Sequence, residues 1–148
     1  MTRELAGLDL LLNGVEKNCS SSDYERAWIP FMFECVDLIS ARMPEVGHDS
    51  LEIGKAFAAK QLGAEQLDEA IRRCWDWCDA RQKQPANNEP EWSAVRAVLC
   101  ILITELQPDP REFLDTTSFF LQLLLNVEPC SRQLDALIKK SLVNCLSA

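Results

Sequence analysis

Side chains able to do chemistry are few in this chain, and their spacing completes no known reactive set. His48 is the sole histidine. That rules out the two Glu-x-x-His pairs of a helical di-iron site and the second histidine of an HExxH zinc motif. A Cys–His nucleophile through His48 has no marked partner. Cys74 and Cys78 lie four apart, so one helix face could present both thiols to a metal. They stand on an apolar stripe beside Trp75 and Trp77, however, and no second pair completes a four-ligand site. Small buried hydrophobes are their expected role. Glu34-x-x-Asp37 and Asp76-x-x-Asp79 each set two carboxylates on one helix side, as a Mg²⁺–diphosphate site does. Without a phosphate-cradling loop these pairs read as solvated faces. No Gly-rich loop, serine elbow or basic–aromatic nucleic-acid patch accompanies them. No catalytic residue, metal or cofactor is therefore expected. The terminal CLSA, Cys145 to Ala148, has the form of a prenylation box with Lys139 and Lys140 upstream. Ser147 takes the usually aliphatic position, and Cys145 also fits the apolar stripe of a last helix.

The elements that must position these residues are helical. Over Thr2–Lys17, Leu5, Leu8, Leu12 and Val15 share a face. Ser22 and Glu25 form a capping box opening a second helix with Tyr24, Trp28, Phe31, Met32, Cys35, Leu38 and Ile39. Pro30 predicts a kink or restart within it, and Met43-Pro44 its end. His48 then falls in a Gly–Asp loop, and Asp49 or Ser50 caps a short third helix that Gly63 stops. A fourth helix, about Glu65–Lys83, carries Leu67, Ile71, Cys74, Trp75 and Cys78 inward. Asp68–Arg72 and Glu69–Arg73 face outward, acid before base at i,i+4.

After the loop Gln84–Pro90, Asn88 and Glu91 start the central helix, about residues 90–106. Trp92, Val95, Leu99, Leu102 and Leu106 fall at helical spacing, and Ala97 to Ile103 are apolar without interruption. Arg96 and Glu105 are its charges inside that pattern. A helix apolar on nearly all sides belongs at the centre of a domain, with Leu99 fully buried. Its β-branched Val98, Ile101 and Ile103 leave a buried strand as the alternative. Asp109-Pro110-Arg111-Glu112 has the form of a helix start. It leads into Phe113, Phe120, Leu121, Leu124 and Leu125, with a break allowed near Thr116–Ser118. Pro129 ends that helix, and Ser131 opens a last one with Leu134, Ile138, Leu142 and Cys145. The fold class is all-α: a single domain over 1–148, about seven helices in a bundle or two-layer array around the central one. An echo between Leu10–Ser20 and Leu123–Ser131 has no longer period with it and reads as chance.

Apolar residues make up 47% of the 148 and charged ones 26%, which fits a folded chain rather than a disordered one. The net charge of −8 is concentrated early, with nine acids against four bases through Ser50. Such a field repels nucleic acid and anionic membranes and attracts a basic partner. No run approaches a membrane span and no leader pattern opens the chain. Seven cysteines, an odd number without framework spacing, point to free thiols and a reducing cytoplasm.

The segments Lys55–Ala80 and Glu91–Leu102 resemble parts of bacterial all-α immunity proteins, which neutralise toxins delivered between competing cells. Small-residue helices, a Gly- and Leu-containing helix–loop–helix, and the cluster Arg72, Arg73 and Trp75 carry that resemblance. It covers about a third of the chain. It implies a non-enzymatic protein binding one cognate toxin, commonly over the toxin's active site. On the wheel Trp77 lies about 100° from the core stripe beside Asp76, which suits either an interface anchor or packing under a neighbouring helix. The expected partner surface is Glu34, Asp37, Glu45, Asp49, Asp76 and Trp77, facing a basic toxin. A helical adaptor gripping an amphipathic helix is the second reading, and a metal-dependent enzyme on the Asp/Glu pairs the third.

The thiol expectation is directly measurable. Alkylation under denaturing, non-reducing conditions should add seven labels by mass spectrometry; two or more native disulfides would overturn it.

Overall fold

The computed structural model describes residues 7–14, 21–81 and 90–141. Among them the chain forms seven α-helices and no strand: α1 over residues 7–14, α2 Ser21–Asp37, α3 Glu45–Ala58, α4 Ala64–Arg81, α5 Pro90–Leu106, α6 Phe113–Val127 and α7 Ser131–Ser141. Several expectations lie outside the described residues. These are the roles of Leu5 and Val15, the end of the first helix near Cys19, the 84–89 loop with Asn88, and Leu142, Cys145 and the CLSA terminus. The side chains of the Ser22–Glu25 capping box are likewise not described.

Helix α5 is the centre, and α2, α3, α4 and α6 all pack against it, while α7 lies on α2. Its sequence explains that place. Ala94, Val95, Ala97, Val98, Leu99, Ile101 and Leu102 are all buried, and they cover most directions around the axis. The helix alternative for Val98–Ile103 is thus the one adopted. Buried Ser93 and Thr104 interrupt the apolar surface, and Thr104 donates its hydroxyl to the Cys100 carbonyl at 2.7 Å within the helix.

Three boundaries differ from the expectations, each for a local reason. Helix α2 stops at Asp37 rather than Met43. From there Leu38, Ile39, Arg42 and Met43 donate to carbonyls three residues back, so the chain tightens into a 3₁₀ turn at Ser40–Arg42. The apolar positions Ile39 and Met43 continue through that change, which hides it from a periodicity argument. Pro30 sits inside α2 without restarting it, and is exposed.

Helix α3 begins at Glu45, well before Asp49. Extended Pro44 (ψ 159°) caps it, and the Pro44 carbonyl accepts from Gly47 and His48 at 2.9 and 3.1 Å. His48 is therefore an exposed helical residue and not part of a loop. Gly47 and Gly54 are buried one heptad apart on α3. A Cβ on Gly54 would stand 2.8 Å from both Leu102 Cδ2 and Glu105 Oε1, so glycine allows α3 to close on α5.

Gly63 does not stop α3. The helix ends at Ala58 in a Schellman turn: Gln61 donates to Ala56 at 2.8 Å and Lys60 to Phe57 at 2.9 Å. Lys60 itself takes the left-handed conformation, φ 63°, that glycine usually supplies there. Gly63 instead caps α4, accepting from Leu67 while its own N–H donates to Gln66 Oε1 at 3.1 Å. At the start of α6, Asp109 Oδ1 accepts from the Arg111 N–H at 3.0 Å as expected of a cap. The first turn, Pro110–Glu112, is 3₁₀, and the α-helix then runs unbroken through buried Thr117.

Leu99 is 1% exposed at the middle of α5. Leu99→Ala should cost about 2–5 kcal/mol in denaturant unfolding, with the helical circular-dichroism spectrum retained. A near-neutral result would mean that the centre of the bundle lies elsewhere.

Candidate functional site

Of the residues expected to form a partner surface, Glu45, Asp49 and Trp77 come together. Glu45, Val46, Asp49 and Ser50 are one i,i+4 stripe of α3, and Arg73 and Trp77 one stripe of α4. The two stripes flank a recess of about 340 Å³. Asp76 is exposed on α4 outside this lining, and Glu34 and Asp37 are exposed on α2, which packs on α5 and α7. The recess is mixed in charge because Arg73 faces the two carboxylates. Trp77 is half-buried, and the Arg81 guanidinium lies 3.7 Å from its ring centroid while also donating to the Trp77 carbonyl at 3.4 Å. Much of its aromatic face is therefore used within α4.

A second recess, of about 290 Å³, lies between α5, the start of α6 and Trp28 of α2. Cys100, Ile103, Thr104 and Phe119 form its wall with Trp28, and Asp109, Glu112 and Asp115 stand around it. Phe119 is 46% and Ile103 42% exposed, so two large apolar side chains meet water beside three carboxylates. Asp109 is engaged: the Arg111 side chain pairs with it through Nε and Nη2, both at 3.1 Å, holding its carboxyl below the usual range. Trp28, 2% exposed, stacks edge-on against Phe113 at 5.2 Å, and its indole N–H has no acceptor among the described residues. Next to the recess, Arg96 lies over three rings, Trp92 at 4.8 Å, Trp75 at 5.0 Å and Phe119 at 5.6 Å. Among the described residues it is Arg96, and not Arg72 or Arg73, whose guanidinium lies over Trp75. Arg72 is occupied at 3.4 Å by Asp68, as the i,i+4 spacing indicates.

Sequence reasoning missed this face because α5 and α6 both read as apolar all round. The available signal was the Asp109–Asp115 acidic run. Its first four residues, Asp109-Pro110-Arg111-Glu112, carry the form of a helix start instead.

A third opening, about 770 Å³, separates α2 from the C-terminal ends of α3 and α5. Ile29, Phe33, Phe57 and Leu62 line it, with Arg26, Lys55 and Lys60 contributing cations. Glu105 of α5 also lines it, with its Oε1 buried over Gly54 and accepting no hydrogen bond from the described residues. Burial pushes the Glu105 carboxyl from 4.5 up to about 7.

Among the described residues, Cys35, Cys74, Cys78, Cys100 and Cys130 form no disulfide. Cys74 and Cys78 are buried core residues, with the Cys74 thiol donating to Ser50 Oγ at 3.2 Å. Burial pushes the Cys78 and Cys100 thiols up to about 12 and raises Cys35 well above its ordinary value. None of these three is a thiolate near neutral pH, which is the state a cysteine nucleophile needs.

Among the described residues no cluster of His, Cys, Asp or Glu is placed to hold a metal ion, and no helix is long and apolar enough to cross a membrane. No protein-family model matches the chain, and neither a curated protein nor a solved structure matches it.

Glu105 generates a pH prediction. Its folded value lies above the unfolded one, so between about pH 4.5 and 7 the native state holds the extra proton. Stability from this group should fall as pH rises through that window and stay lower above it. Glu105→Gln should flatten this part of the profile and be the more stable form near pH 8, as read by denaturant titration. An unchanged slope would show that the carboxyl titrates normally.

Proposed function

We propose that the protein is a non-enzymatic binding protein that takes a basic protein partner on its α5–α6 face. The observation that carries this reading is the placement of exposed Ile103 and Phe119 among Asp109, Glu112 and Asp115 around one recess. An aromatic anchor that loses its water on contact supplies most of the affinity at such surfaces, while surrounding charges speed encounter and select the partner. The Arg96 guanidinium lies over the Phe119 ring as well as over Trp75 and Trp92, which ties this face to the α4–α5 packing. The net charge of −8 attracts a basic partner over a longer range, and Glu45 and Asp49 add to that field from α3.

In its concrete form the reading is a cytoplasmic immunity protein that covers the active site of a basic toxin. The resemblance of Lys55–Ala80 and Glu91–Leu102 to such proteins motivates that form.

The test requires a partner recovered by pull-down and its binding kinetics. Glu112→Lys with Asp115→Lys should slow association, with a smaller effect at high salt. Phe119→Ala should speed dissociation roughly tenfold or more, with the circular-dichroism spectrum unchanged. If only Glu45→Lys with Asp49→Lys alters the kinetics, the contact lies at the α3–α4 recess. An acidic partner bound without salt dependence would contradict the electrostatic basis of the proposal.

A further inference from the structure

The α2–α3–α5 groove has the opposite polarity to the α5–α6 face. In a chain of net charge −8, Lys55 and Lys60 line this one apolar opening together with Arg26. Its volume of about 770 Å³ is that of a small-molecule site, which generally spans about 300–1,000 Å³. Phe33 and Phe57 supply flat apolar walls from α2 and α3.

The backbone adds an independent observation. Lys60 has the one positive φ of a non-glycine residue among those described. The left-handed conformation disfavours any side chain with a Cβ, and glycine is the residue that ends helices this way without cost. Here a lysine occupies the position, and its side chain lines the groove. Strain kept at a position that presents a cation to an opening has a use if the cation is used.

We propose that this groove binds a small amphipathic carboxylic acid, its apolar body against Phe33 and Phe57 and its carboxylate at Lys55 and Lys60. The groove is a different opening from the α5–α6 recess, which it adjoins at Thr104, and does not depend on the function assigned there. The charged groups facing the groove are Arg26 from α2, Lys55 and Lys60 from the end of α3, and Glu105 from α5. Glu105 sets the pH response. As a neutral acid it tolerates an anion beside it. Once ionised, it places a second negative charge in the same apolar opening. The rise of its carboxyl to about 7 puts that change near neutrality.

Decanoate is a suitable probe, titrated calorimetrically into the full chain near pH 6 and near pH 8. Saturable 1:1 binding is expected, stronger at the lower pH. Lys55→Ala should weaken it about tenfold, the loss typical of one charge-assisted hydrogen bond. Lys60→Gly separates the two roles of that residue: it should raise the thermal midpoint by relieving the backbone and still weaken decanoate binding. Glu105→Gln should bind equally at both pH values, and Phe119→Ala should bind as the wild type does.

The proposal is overturned if decanoate shows no saturable binding. It is also overturned if Lys60→Gly stabilises the protein with affinity unchanged, or if decyltrimethylammonium binds better than decanoate. An acidic amphipathic helical peptide that decanoate cannot displace would make the groove a protein-docking site instead. A wild type whose affinity is the same near pH 6 and pH 8 would remove the ligand from the neighbourhood of Glu105.

Discussion

Helix α5 has almost no face that can be left to water, so the surrounding helices are placed by the need to cover it. Burial of Leu99, Ile101 and Leu102 and of the smaller residues between them stabilises this arrangement. The polar groups on α5 are met locally or, as with buried Ser93 Oγ and Glu105 Oε1, have no hydrogen-bond partner among the described residues. Thr104 uses the Cys100 carbonyl, Arg96 lies on aromatic rings, and Glu105 holds its proton more tightly than an exposed carboxyl would. Coverage fails only at edges. Ile103 emerges beside Phe119 on one edge, and Glu105 borders a groove on another.

Both openings follow from helix packing rather than from dedicated loops. The α5–α6 recess combines exposed apolar side chains with the carboxylates of Asp109 before the 3₁₀ turn, Glu112 within it and Asp115 in the first turn of α6. The α2–α3–α5 groove combines aromatic walls with lysines supplied by the end of α3. Thr104 belongs to the lining of both, so the two surfaces are neighbours of opposite polarity around the C-terminal half of α5. The five described thiols lie elsewhere in this chemistry only as packing or wall groups; Cys100, on the wall of the acidic recess, is held protonated by burial.

Much of the fold was legible in the sequence. The limits of α5, the stripe of α4, the Pro129 break and the start at Ser131 follow from periodicity and capping chemistry. The start of α3 did not, because glycine and histidine near an acid resemble a loop when read alone. Gly47 is helical and buried, with Met43 and Val98 packed over the space a Cβ would fill. The end of α3 was hidden because a lysine takes the position that glycine usually marks. For the site, the wheel placed Trp77 at the core boundary, and the structure joins it to Glu45 and Asp49 through α3–α4 packing. It did not join Glu34 or Asp37, since shared acidity carries no distance information. Ile103 and Phe119 were lost within helices apolar on every side, where only packing decides which residue is left uncovered.

Native-state hydrogen exchange tests the central role of α5 most directly. Amides from Ala94 to Thr104 should exchange only through global unfolding, with a free energy equal to that from denaturant melting. Exchange of these amides at lower free energy than those of α4 or α6 would contradict the account, because the helix on which all the others close would then open before them.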